Sequence, residues 1–365
     1  MVFGKVYKMI HVTKTYLPNK EKYKKYIDKI YKNGWITNNG PIVKELEKRL
    51  AEYLGVKNIV LVANGTVALE IAYRTLGIKG YAITTPFSFV ATTSSLLTNG
   101  IKPIFVDIEE NTLNIDQNKI EETITQNTSA IVPVHVFGNA CDVESIGKIA
   151  KKHSLKVIYD AAHAFGVNYK GKSILNYGDI STLSFHATKL FHTIEGGALI
   201  INDDELARKA RYLINFGIED VESILCLGTN AKMNEFEAAM GICVLDDIDI
   251  ILGKREDIFN IYKEELKTYV DFQEKNKNAT NNFSYFPIIL KNEKQLKIIQ
   301  KALNKKFIYP RRYFYPSLDS LSYIEPKQYC FKSRNISSKI LCLPVYIELI
   351  VEEQMKIIQT IKDCL

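Results

Sequence analysis

Between residues 57 and 203, short apolar, β-rich runs alternate with helical patterns, and this alternation constrains the fold more than any other feature of the 365-residue chain. Seven runs read as strands, at 58–63, 81–85, 103–107, 130–136, 156–160, 182–186 and 197–202. They are apolar throughout rather than strictly alternating, which suits strands covered on both faces. The segments between them include a helical pattern over 67–76 stopped by Gly77, and another over 146–153. Alternating β and α units predict a mostly parallel, doubly covered α/β sheet. The pattern changes near residue 204: a helical stretch, a long helix running through Lys267, then a polar stretch over 274–282 that predicts an exposed loop. A strand at 285–290, a helix near 293–303 and a terminal helix from Glu352 complete the chain. The expected organisation is a large α/β domain with an N-terminal arm over 1–245 and a small C-terminal α+β domain over 246–365.

Composition bears mainly on what is excluded. Apolar residues at 46% and charged residues at 24% are those of an ordinary globular protein. A net charge of +7 is modest, and the lysines clustered before residue 33 read either as a solvated helix face or as an attraction for an anionic substrate. Nothing resembles a nucleic-acid module. Cys141, Cys226, Cys243, Cys330, Cys342 and Cys364 show no CxxC pair and no zinc-ligand spacing, so core thiols in a reducing compartment and no metal are expected. Met1-Val-Phe-Gly-Lys5 lacks a signal-peptide core and no apolar run can span a bilayer, so a cytoplasmic protein without membrane contact is expected.

Three segments carry chemistry. In Val62-Ala-Asn64-Gly65-Thr66 a strand gives way to a helix start, whose free N–H groups make an anion site, unless Asn64 is simply an N-cap. No GK[ST] and no GxGxxG follows a strand, which excludes a P-loop and a dinucleotide fingerprint. In Tyr159-Asp160-Ala-Ala-His163 a carboxylate stands at the end of a buried strand. Its partner is either His163 or a cation such as a protonated pyridine nitrogen. In Ser184-Phe-His186-Ala-Thr188-Lys189, before Glu195-Gly196-Gly197, a lysine follows an apolar strand. It is either a snorkelling structural lysine or an amine protected for Schiff-base chemistry. Together the segments match the phosphate, ring nitrogen and aldehyde of one cofactor.

At these residues the chain resembles the DegT/DnrJ/EryC1/StrS sugar aminotransferases, of the aspartate-aminotransferase fold (fold type I). Trp35-Ile-Thr-Asn-Asn-Gly-Pro41, Asn64-Gly-Thr66, Pro133-Val-His-Val-Phe-Gly138, Asp160-Ala-Ala-His163, Ser184–Lys189 and Gly228-Thr-Asn-Ala-Lys-Met233 carry the likeness in order. The resemblance implies pyridoxal 5'-phosphate (PLP), with Lys189 as the cofactor-bonding and catalytic lysine and Asp160 on the pyridine nitrogen. Gly65, Thr66 and Ser184 would hold the phosphate, Phe89 would stack on the ring and His163 would lie near its hydroxyl. Asn230 would reach the phosphate of a neighbouring subunit, which implies a homodimer. Lys232 stands where relatives often carry arginine. Arg311, Arg312 and Tyr313 sit where relatives contact the nucleotide sugar, or else form a basic surface turn.

The implied reaction is a two-stage transamination from glutamate, released as 2-oxoglutarate, to a nucleotide-linked keto sugar. The sequence around Lys189 is most similar to that of enzymes converting dTDP-4-keto-6-deoxyglucose to dTDP-4-amino-4,6-dideoxyglucose for surface glycan such as lipopolysaccharide O-antigen. Amination at C3 of a dTDP-3-keto sugar and a UDP-linked 4-keto sugar are the alternatives within the class. A PLP-dependent dehydratase would carry histidine in place of Lys189, and a non-catalytic relative would have no need of lysine, acid and phosphate elements together.

Overall fold

The computed structural model describes residues 8–365; the pentapeptide considered above as a targeting signal lies outside them. All seven expected strands are present: β1 (Ile59–Val62), β2 (Tyr81–Thr84), β3 (Lys102–Phe105), β4 (Thr128–Val132), β5 (Lys156–Asp160), β6 (Ile180–Ser184) and β7 (Gly197–Ile201). They form one sheet in the order β1-β7-β6-β5-β4-β2-β3. Only β7 runs against its neighbours, with Gly197 opposite both Val62 and Ser184.

The uniformly apolar strands are explained by two cores, one on each face. Ile59, Leu61, Ile131, Ala198 and Ile200 join one core, while Val60, Val62, Val132, Leu199 and Ile201 join the other. Helices α2 (Pro41–Leu54), α5 (Val143–Lys152) and α7 (Glu235–Leu245) cover the first face, and α3 (Gly65–Leu76) and α6 (Asp204–Leu213) cover the second. Helix α2 shows why such helices form. Its apolar residues Ile42, Val43, Leu46, Leu50 and Leu54 fall on one stripe, Pro41 starts it, and Gly55 at φ 61° ends it. Each of these side chains contributes roughly 1.5–3 kcal/mol by leaving water, so Leu46→Ala would cost about 2–5 kcal/mol.

The C-terminal part builds a third core on an antiparallel sheet of Asp271–Phe272, Phe286–Ile289 and Ile340–Leu343. Two sequence expectations are corrected here. The long helix is two, α7 and α8 (Ile248–Leu266), broken where Asp247 leaves helical geometry and accepts a hydrogen bond from Tyr16 (2.9 Å). Ile248 and Ile251 belong to the first core and Ile258 to the third, so α8 serves both. The polar stretch after residue 273 is not a free loop. Asn282 donates to the carbonyls of His163 (2.8 Å) and Phe165 (2.9 Å), and Asn276 to that of Ala140 (3.2 Å). Its polarity serves hydrogen bonds to large-core backbone rather than solvation. No helix among the described residues is long and apolar enough to cross a membrane.

Candidate active site

The C-terminal ends of β1, β5 and β6 open on one cavity of about 270 Å³. At the end of β1, Asn64 caps α3: its side chain accepts from Val67 N–H (2.9 Å) and its carbonyl from Ala68 N–H (3.1 Å). The N–H groups of Gly65 and Thr66 precede the first intrahelical bond and lie at the positive end of the helix dipole. Gly65 is required there because a Cβ would fall 2.7 Å from Ser184 Cβ. That close approach brings the end of β6 against the start of α3.

Asp160, buried at the end of β5, accepts from the Thr92 hydroxyl (2.7 Å) and from Ala162 N–H (3.1 Å). Burial raises its pKa, opposed by these two donors and by the charge of Lys189. His163 is stacked between neighbours, with ring centroids 5.8 Å from Phe314 and 4.6 Å from Tyr285. Its Nδ1 is buried without a partner, and burial, then the charges of Lys189 and Lys275, hold the ring neutral. The Lys189 amine lies 5.9 Å from the centroid of Tyr285. Burial pulls its pKa down to about 8, with Asp160 opposing the shift.

Gly65, Thr66, Phe89, Asp160, His163, Ser184, Lys189, Arg311 and Tyr313 therefore share one cavity. Arg312, also expected at the site, does not. Arg312 turns away, donating to Glu293 (3.1 Å) and the Ser338 carbonyl (3.1 Å) with its guanidinium 3.5 Å from the ring centroid of Tyr315. Adjacent positions on an extended chain face opposite ways, so Arg311 and Arg312 cannot both reach the cavity. Asn230 is exposed outside this cavity and accepts from Lys232 Nζ (2.9 Å), which also donates to Asn215 (2.9 Å).

Other lining residues carried no assignment from the sequence: Ser88, His186, Thr188, Glu195, Tyr285 and Phe314. Thr92, behind Asp160, was also missed. It stands one helical turn after Phe89, and that spacing is the only signal it gave.

A desolvated amine in the field of a buried carboxylate, beside a helix start, defines an α/β enzyme that carries out amine chemistry on a phosphorylated or otherwise anionic group. Similarity to known proteins narrows that class. Residues 18–362 match the DegT/DnrJ/EryC1/StrS aminotransferase family, and the chain belongs to it. A dTDP-4-amino-4,6-dideoxy-D-glucose transaminase of Shigella dysenteriae is 46% identical over 98% of this chain and 99% of its own. A protein of the same description from Escherichia coli is 42% identical over 96% of this chain and 97% of its own. The crystal structure of DesI in the presence of its TDP-sugar product superposes with a TM-score of 0.93 at 29% identity, covering 98% of this chain and 93% of that one.

Proposed function

We propose that the protein is a PLP-dependent transaminase converting dTDP-4-keto-6-deoxy-D-glucose to dTDP-4-amino-4,6-dideoxy-D-glucose, with L-glutamate as donor. Relatives of that description at 42–46% identity over nearly the whole chain support the substrate. One observation carries the chemistry: Lys189 and Asp160 line a single cavity with Gly65, Thr66 and Ser184.

The residues present fit the cofactor. Asp160 is a buried carboxylate with two hydrogen bonds and acceptor capacity to spare, as a cationic ring nitrogen requires. His163 has an unpartnered buried nitrogen, and Gly65 lets Ser184 close on the helix start, so a hydroxyl stands beside its free N–H groups. When bound, PLP supplies an aldehyde to take up the amino group and a pyridinium ring to spread negative charge.

The chain's own groups do the remaining work. A pKa near 8 gives Lys189 about 300 times more neutral amine at pH 7 than the usual 10.5 would. Its Nζ is thus nucleophile and proton carrier, taking the proton from the donor's α-carbon and later delivering one to the sugar carbon. With PLP bound, Asp160 would face its ring nitrogen as an ionised carboxylate, the first N–H groups of α3 would hold its phosphate, and Phe89 would cover its ring. Tyr285, Tyr313 and Phe314 keep water from the wall, and Arg311 meets the anionic part of the substrate.

We also propose a homodimer. Phe216, Val221, Leu225 and Leu227 are exposed around Asn230, an apolar patch that suits an interface, and Asn230 with Lys232 would reach the partner's phosphate. The large and small domains would divide at about residue 245. We further propose a cytoplasmic enzyme whose product serves surface-glycan assembly.

The test is incubation of the purified protein with glutamate and dTDP-4-keto-6-deoxy-D-glucose, followed by NMR of the product. An equatorial amine at C4 is expected. An amine at C3, or turnover of UDP-linked 4-keto sugars alone, would overturn the substrate assignment.

A further inference from the structure

We infer that Glu195, held by His186, is a specificity-determining residue that accepts a hydrogen bond from the sugar hydroxyl beside the reacting carbonyl. The inference rests on the proposed keto-sugar substrate. Both residues line the cavity and neither is needed for the roles assigned above.

The geometry fixes what the pair can offer. His186 Nδ1 accepts from Thr188 N–H (3.2 Å) and lies 2.8 Å from the Thr188 hydroxyl. An accepting Nδ1 puts the ring proton on Nε2, and Nε2 lies 3.5 Å from Glu195 Oε1. One carboxylate oxygen is therefore turned toward the imidazole, and the other is available to a ligand. The loop beneath is pinned: Thr193 Oγ1 donates to the Glu195 carbonyl and Ile194 N–H to His192 Nδ1 (3.2 Å). Ile194, a β-branched residue, is held at φ 73°. The backbone at Glu195 is thus fixed by its surroundings, and its half-exposed side chain reaches into the cavity beside His186.

Charge then decides the ligand group. An ionised carboxylate accepts hydrogen bonds and repels phosphate and carboxylate. Besides Lys189, the cavity's cation is Arg311, which comes from a different part of the chain, bridged to Cys342 and stacked 4.5 Å from the ring centroid of Tyr313. A substrate with a diphosphate at one end and hydroxyls at the other is oriented by this asymmetry, with anionic groups toward Arg311 and a hydroxyl toward Glu195. The amino donor has no hydroxyl and carries two carboxylates, so losing Glu195 should not slow its half-reaction.

The experiment separates the two half-reactions in the holoenzyme. With Glu195→Ala, kcat/KM for dTDP-4-keto-6-deoxy-D-glucose is expected to fall about 10–100-fold, the scale of one hydrogen bond to a charged group. Glu195→Gln, which keeps an acceptor, should lose less. The glutamate half-reaction, followed by the cofactor's absorbance, and the calorimetric affinity for dTDP alone should both stay within twofold. The analogue lacking the hydroxyl beside the carbonyl should be turned over equally by the variant and the parent. An equal loss on that analogue, or a parallel loss in the glutamate half-reaction, would overturn the inference in favour of a structural role. Failure of the unsubstituted protein to react with glutamate at all is a different result, and would count against amino transfer itself.

Discussion

Lys189 and Lys275 have both been taken out of water, and burial pulls each amine down to about 8, yet they end in different surroundings. Lys189 follows β6 into the cavity, where Asp160 lends it a negative field. Lys275 belongs to the stretch that docks on the large core, and its amine donates to neutral oxygens, the Gln273 side chain (3.1 Å) and the Phe137 carbonyl (3.5 Å). Equal desolvation thus produces a reactive group in one place and a structural one in the other. A perturbed amine marks a site only where a cavity and a counter-charge accompany it. His163 feels the charge of both lysines, which makes the pair open to direct test.

The sharpest way to break the contrast is activity. Lys189→Ala removes the nucleophile and proton carrier together, and kcat is expected to fall by at least about 10³-fold. Lys275→Met should keep kcat within about tenfold, since it touches no reacting atom. Steady-state rates for the two variants decide the matter. Substantial turnover by the Lys189 variant would end the assignment.

Stability separates the same residues by a different measure. Lys275 has a native pKa near 8 against the usual 10.5, so below pH 8 both folded and unfolded chains hold the proton and the fold bears the full cost of desolvation. Between pH 8 and 10.5 the unfolded chain binds more protons, and stability rises with pH. The whole shift corresponds to about 3 kcal/mol. Lys275→Met should therefore be more stable than the parent at pH 7 by up to that amount, with the advantage shrinking toward pH 10.5. Urea unfolding of the holoenzyme at pH 7, 8.5 and 10 measures it. An advantage that does not change with pH would mean that the amine is not the source.

Much of this was legible in the chain itself. Short, uniformly apolar, β-rich runs between helical patterns suit strands with two covered faces, so the seven strands could be placed, and with them the strand-end positions of Asp160, Ser184 and the following Lys189. What escaped depends on partners remote in sequence. Thr92 matters because it meets a carboxylate 68 residues away, and Tyr285 because the C-terminal antiparallel sheet carries it to the cavity wall. Arg312 looked equivalent to Arg311 until Glu293 claimed it. Asp246 and Asp247 break a helix that hydrophobic pattern alone would continue, because Lys22, Arg49 and Tyr16 hold their carboxylates. Asn282 is polar for the sake of buried carbonyls, and polarity in a sequence does not distinguish those from water.

The smallest effect probes the feature that sets Lys189 apart, its carboxylate neighbour. The Thr92 hydroxyl donates to Asp160 at 2.7 Å and also lies 2.7 Å from the Ser88 hydroxyl. This bond favours the ionised acid, whereas burial favours the neutral one. Thr92→Val keeps the shape and removes the donor, so Asp160 should ionise less readily. A hydrogen bond to a charged group is worth about 1.5–3 kcal/mol, much of which Ser88 and Ala162 can recover, so about a tenfold loss in kcat is expected. Less negative charge at 160 also removes support for protonated Lys189, whose pKa should move further down. The basic arm of a kcat–pH profile in the Thr92 variant should shift accordingly, while the same substitution leaves the Lys275 stability profile where it was. A shift in the Lys275 profile instead would show that the two amines are coupled through His163, and that the division drawn between them is too simple.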